Sequence, residues 1–119
     1  MDARERGLRG EGIAREYLAG KGFSLIASGW RSRFGEIDLI VKNREFVVFV
    51  EVKTRKNADF VQAREYVGKA KQRKLIATAN LWLASNESKL QPRFDVVEIY
   101  AADEDDANGP EIIHIENAF

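Results

Sequence analysis

Residues 35–55 read GEIDLIV, a short polar break, then FVVFVEVKTR, and they constrain the fold more than any other stretch. Positions 46–50 are all apolar. Strand side chains alternate between two faces, so this run needs cover on both sides and belongs at the centre of a sheet. Glu51 and Lys53 then share one face of the same strand. An even-numbered turn around Asn43 and Arg44 would bring Asp38 to that face too, directly or diagonally across from Glu51. Charged groups are costly to place in apolar strands, so these three call for a reason.

The rest of the chain supplies elements to surround that hairpin. Residues 4–20 predict a helix with a loose stripe of Leu8, Gly12, Ala14, Tyr17, Leu18 and Ala19, stopped by Gly20-Lys21-Gly22. Strands are predicted over 23–30, 35–41 and 46–54, and residues 57–67 suit no single element. A second helix over 68–84 turns Leu75, Ile76, Ala79, Trp82 and Leu83 inward. A fourth strand over 94–100, an acidic loop over 102–110 and a final strand over 111–115 close the chain, the last two strands as a hairpin. The order αβββαββ predicts an α/β fold with a mixed central sheet flanked by helices. At 119 residues it is one domain, 1–119.

Composition excludes several function classes. Without cysteine there is no disulfide framework and no thiolate metal site, which fits a reducing, cytoplasmic setting. One histidine, His114, leaves little for a zinc site or a nucleophile–histidine triad, and it reads as an edge residue of the last strand. Glycines 7, 10 and 12 do not follow a strand and match neither a dinucleotide nor a P-loop fingerprint. The start of the chain resembles no signal peptide, and no apolar run approaches a membrane span. Trp30 and Trp82 read as core, and the acids at 103–106 lack the ligand spacing of a calcium loop.

Net charge is zero, but it is unevenly spread. Residues 42–74 carry ten Lys/Arg against four acids, and residues 95–119 carry eight acids and no Lys or Arg. A basic centre of this kind suits nucleic acid, with Arg55, Lys56, Lys69, Lys71, Gln72, Arg73 and Lys74 as the phosphate-binding candidates. Asp38 and Glu51 could together hold one Mg²⁺ or Mn²⁺, with the Val52 carbonyl as a further ligand and Glu11 of the first helix as a third carboxylate. Lys53 would orient the attacking water and offset charge on a phosphoryl transition state. The competing reading of the same residues is a solvated ion-pair ladder of Glu36, Glu51, Lys53 and Arg55 at a strand end.

Several segments go further: Gly10-Glu11-x-x-Ala14-x-x-Tyr17-Leu18, Trp30-Arg31, Gly35-Glu36-Ile37-Asp38-Leu39-Ile40, Phe49-Val50-Glu51-Val52-Lys53-Thr54-Arg55 and Arg93-Phe94-Asp95-Val96-Val97. Through them the chain resembles the YraN-type family of bacterial proteins, related to Holliday-junction resolvases of the PD-(D/E)XK nuclease superfamily. The resemblance implies a restriction-endonuclease-like αβββαβ core, with Glu11, Asp38, Glu51 and Lys53 at the positions of the nuclease site. It departs where isoleucine, not proline, precedes Asp38, where Ser28-Gly29 precedes Trp30, and where residues 57–67 hold no glycine. It implies a metal-dependent endonuclease acting on DNA, including branched or junction DNA. By the same analogy it implies a homodimer whose two sites cut two strands. A nucleic-acid-binding module that keeps the fold and lacks catalysis is the alternative. A third reading is an interaction protein that meets its partner through the acidic tail.

Overall fold

The apolar run at 46–50 lies in the middle strand of five, as its composition requires. The structure is a computed structural model and describes residues 2–55, 67–100 and 109–119. Its elements are α1 (Ala3–Gly20), β1 (Ser24–Ser32), β2 (Gly35–Lys42), β3 (Phe46–Arg55), α2 (Lys69–Ser85), β4 (Gln91–Tyr100) and β5 (Glu111–Ile115). The sheet runs β1-β2-β3-β4-β5. β1, β2 and β3 form an antiparallel meander, β3 and β4 are parallel, and β5 pairs antiparallel with β4. A parallel pair needs a crossover, and α2 lies within it. The mixed sheet with two helices is the α/β arrangement of a restriction-endonuclease-like core. Lys56, most of the unassigned stretch at 57–67 and most of the acidic loop lie outside the described residues.

β3 is buried on both faces because a helix layer covers each. Val48 and Val50 pack with Ala14 and Leu18 of α1, whereas Val47 and Phe49 pack with Leu75, Ala79 and Trp82 of α2. Odd-numbered residues of β3 thus face α2, and Glu51 and Lys53 continue that face. The β2–β3 turn is even-numbered: Lys42 pairs with Val47, and the Asn43 side chain accepts from the backbone N–H groups of Glu45 and Phe46 at 2.9 and 2.8 Å.

Both helices bury much of the predicted stripe, Ala14 and Leu18 in α1 and Leu75, Ala79 and Trp82 in α2, but each departs from it in part. In α1 the buried residues are Gly10, Ala14 and Leu18, four apart, while Leu8 is 57% exposed and Gly12 and Ala19 face solvent. Close approach to the sheet selects this stripe: a Cβ on Gly10 would stand 1.8 Å from Thr54 Cγ2. In α2 Thr78 is buried and Ile76 is exposed. The Thr78 hydroxyl donates to the Lys74 carbonyl at 2.8 Å and lies 2.9 Å from Ser32 Oγ, so its polar atom is satisfied. Among the described residues no helix is long and apolar enough to cross a membrane.

His114 lies in the edge strand β5, as predicted, but it does not face solvent. Its side chain is buried, with Nε2 2.7 Å from Asp95 Oδ2 and Nδ1 3.4 Å from the Tyr17 hydroxyl. Arg93 grips the same carboxylate with two hydrogen bonds of 2.9 and 2.8 Å, and the Asn117 amide donates to it at 3.0 Å. Burial alone would push the Asp95 carboxyl up, but His114, Arg93 and Asn117 together hold it below the usual carboxylate range. This cluster ties α1, β4 and the C-terminal segment together.

Candidate functional site

β2 changes face at Asp38. Ile37 packs in the α2 layer and Leu39 in the α1 layer, although residues two apart in a regular strand share a face. The β1–β2 ladder pairs Ser28 with Leu39 and Trp30 with Ile37 but not the intervening Gly29 with Asp38, and Gly29 takes a positive φ of 61°. On the other side the β2–β3 ladder stops at Leu39 and Val50. Asp38 is therefore released from both neighbouring strands. Its Oδ2 fills the gap by accepting the Val52 N–H at 2.8 Å. The amide and carbonyl of one strand residue point to the same edge, so the Val52 carbonyl faces this gap as well.

The Asp38 and Glu51 carboxyls adjoin each other in one cleft. Burial, and then this contact with Glu51, push the Asp38 carboxyl up to about 8 against the lowering effect of the Val52 N–H. Glu51 is only 6% exposed. Its Oε2 is fully buried and receives no well-directed hydrogen bond, with Lys71 Nζ 2.5 Å away as an ion pair. Lys53, half-buried on the same face, is shifted down by burial and by Arg55, with Glu51 acting against them. Asp38, Glu51, Val52, Lys53, Thr54, Arg55 and Lys71 line an open cleft of about 420 Å³.

The structure thus brings Asp38, Glu51, Val52 and Lys53 together and leaves Glu11 at the rim. Glu11 sits half-buried on α1, which packs on the Val48–Val50 face, whereas Glu51 and Lys53 point toward α2. It acts on Asp38 through space, and burial and the charge of Glu36 raise its own pKa. Among the described residues no three acidic, histidine or cysteine side chains are grouped closely enough to hold a metal ion. The solvated-ladder reading fails on burial, since Glu51 is enclosed and Glu36 instead lies 3.6 Å from Arg31.

The basic candidates divide by helical position. Lys71 heads the stripe that continues through Leu75, Thr78 and Trp82, so it reaches over the sheet to Glu51. Gln72 turns its Nε2 to the Val67 carbonyl at 2.8 Å, at the start of α2. Lys69, Arg73 and Lys74 are exposed, and Arg55 stands at the cleft. Glu98 was missed. It is 1% exposed, lies beside Lys53 in the parallel ladder, and its charge favours the protonated lysine. The signal was a lone acid in the otherwise apolar VVEIY.

Residues 10–99 match Uncharacterised protein family UPF0102. The chain belongs to this family. A UPF0102 protein of Caldanaerobacter subterraneus subsp. tengcongensis is 40% identical over 111 residues, covering 92% of this chain and 90% of the relative. One from Vibrio parahaemolyticus is 42% identical over 104 residues, 86% of each chain. One from Clostridioides difficile is 38% identical over 120 residues and spans both chains fully. The UPF0102 match contains Asp38, Glu51, Lys53, Lys71 and Glu98, so the whole cleft falls within the segment that defines membership.

Proposed function

We propose that this protein is a metal-dependent endonuclease that hydrolyses phosphodiester bonds in DNA, branched DNA included. The adjoining Asp38 and Glu51 carboxyls carry the reading: both line one cleft, and burial and Glu51 push the Asp38 carboxyl up. Two acids held this close cannot both ionise cheaply unless a cation joins them. The donor set fits a hard ion: Asp38, Glu51 and the Val52 carbonyl would hold Mg²⁺ or Mn²⁺, which keeps several waters and so needs no full protein cage. When bound, that ion would polarise the phosphoryl oxygen and stabilise the leaving oxygen.

The chain's own groups do the rest. Lys53, its charge favoured by Glu98 and Glu51, orients a water for in-line attack and offsets the negative charge on the phosphoryl oxygens as the new P–O bond forms and the old one breaks. Burial, which favours the neutral amine, also makes the Lys53 ammonium a readier proton donor than an exposed lysine. Lys71 keeps Glu51 oriented, and Arg55 at the cleft meets a flanking phosphate. Glu11 adds negative charge from the rim.

Incubation of purified protein and Mg²⁺ or Mn²⁺ with labelled duplex, flapped and four-way DNA should give nicked products. Asp38→Ala and Lys53→Ala should each lower the rate by at least about 100-fold, the scale of a lost catalytic group. That no three-carboxylate group occurs among the described residues favours a second reading, a DNA-binding module without turnover. That reading wins if DNA is bound at low salt but never cut with any divalent ion.

A further inference from the structure

The hairpin joining β1 to β2 carries chemistry that the cleft does not use. Arg31, Ser32, Arg33, Phe34, Gly35 and Glu36 line an open depression of about 370 Å³. Phe34 is 39% exposed at the tip, and the Arg33 guanidinium stands 4.8 Å from its ring centroid. An uncovered phenyl ring with a guanidinium against it offers a base both a stacking surface and a positive charge.

The tip is also fixed in place. Ser32 Oγ accepts the Phe34 N–H at 3.0 Å and lies 2.9 Å from the hydroxyl of buried Thr78 on α2. Gly35 rests on the same helix, where an added Cβ would stand 3.8 Å from both Lys74 Cβ and Thr78 Oγ1. The hairpin therefore leans on the helix that sends Lys71 to Glu51. Gly35 precedes Asp38 by three strand residues, about 10 Å of rise. That separation is about three base-pair steps of a duplex.

We propose that the β1–β2 hairpin tip is a branch-reading contact: Phe34, with Arg33, stacks on an unpaired base while Arg31 and Lys74 meet the adjoining phosphates. The inference rests on the nuclease reading and specifies where a DNA branch would sit relative to the cleft. Backbone anchored at Phe34 by Ser32, itself bonded to Thr78, lowers the ordering cost of stacking. Intact duplex offers no free base face, so the contact discriminates between the two DNA forms.

Fluorescence anisotropy without divalent metal, where nothing is cut, tests it on an intact duplex and on the same duplex bearing a single-stranded flap with 2-aminopurine at the branch. Wild-type protein should bind the flapped DNA more tightly and quench the 2-aminopurine. Phe34→Ala should weaken flap binding by about 5- to 50-fold, the scale of one lost stack, and intact-duplex binding by less than about 2-fold. Phe34→Trp should keep both the preference and the quench. Equal affinity of Phe34→Ala and wild type for the flap, or an equal loss on both DNAs, overturns the inference while the nuclease reading stands. Failure of wild-type protein to bind either DNA at low salt overturns both.

Discussion

Asp38 shows how much one side chain can report about a site. The two carboxyls were legible in the sequence because strand alternation and an even-numbered turn leave few ways to arrange GEIDLIV and FVVFVEVKTR. The geometry of their partners was not. Lys71 and Glu98 arrive through a parallel crossover whose register no local pattern encodes. The raised pKa of Asp38 has a consequence for stability. The folded chain keeps a proton that the unfolded chain releases between its ordinary value of 3.8 and about 8. The stability this group contributes is complete below that lower value and is lost as pH rises through the upper one. Metal-free protein should therefore show a Tm that falls between about pH 5 and pH 8.5. Asp38→Asn, which keeps an oxygen for the Val52 N–H, should flatten that fall and melt several degrees higher at pH 8, roughly 1 kcal/mol. Calorimetry across pH checks this, and a parallel decline in the variant would show that another group is responsible.

At the scale of elements, α1 shows where hydrophobic patterning misleads. A search for apolar periodicity finds Ala14 and Leu18 but adds Leu8 and Gly12 and omits Gly10, which is buried. Smallness, not hydrophobicity, selects Gly10, because the helix there comes down onto Thr54 with no room for a Cβ. α2 repeats the lesson, since Thr78 is buried through its hydroxyl contacts and Ile76 is left outside. Gly10→Ala should cost about 2 kcal/mol despite the better helix propensity of alanine, the usual penalty for overpacking. Thr54→Ser removes the methyl that blocks the new Cβ, so the double variant should recover most of the loss. Urea titration of the four proteins checks the coupling, and additive effects would contradict it.

Across the whole molecule, a net charge of zero hides an uneven spread of charge. The cleft carries Arg55 and Lys71, and the hairpin beside α2 adds Arg31 and Arg33. DNA affinity should fall linearly on a logarithmic salt scale, and Arg55→Ala should make the slope shallower by about one, the signature of one lost phosphate contact. An unchanged slope would place Arg55 off the DNA. The overall architecture was readable because the order of elements prunes topologies severely. What was not readable is which helix covers which face, since each strand of an apolar sheet accepts either.

The antiparallel meander has a consequence for how the protein comes into being. β1, β2 and β3 pair with their neighbours through short turns, whereas β3 meets β4 only after the whole α2 crossover has closed. Local pairings form faster than distant ones. The nascent chain should thus bring Asp38 and Glu51 face to face before Lys71 arrives to balance them. A divalent ion would be most welcome at that moment, acting as a chaperone for the hairpin as well as a reagent in the finished cleft. Stopped-flow refolding should then accelerate in millimolar Mn²⁺, and the Asp38→Asn chain should be indifferent to it.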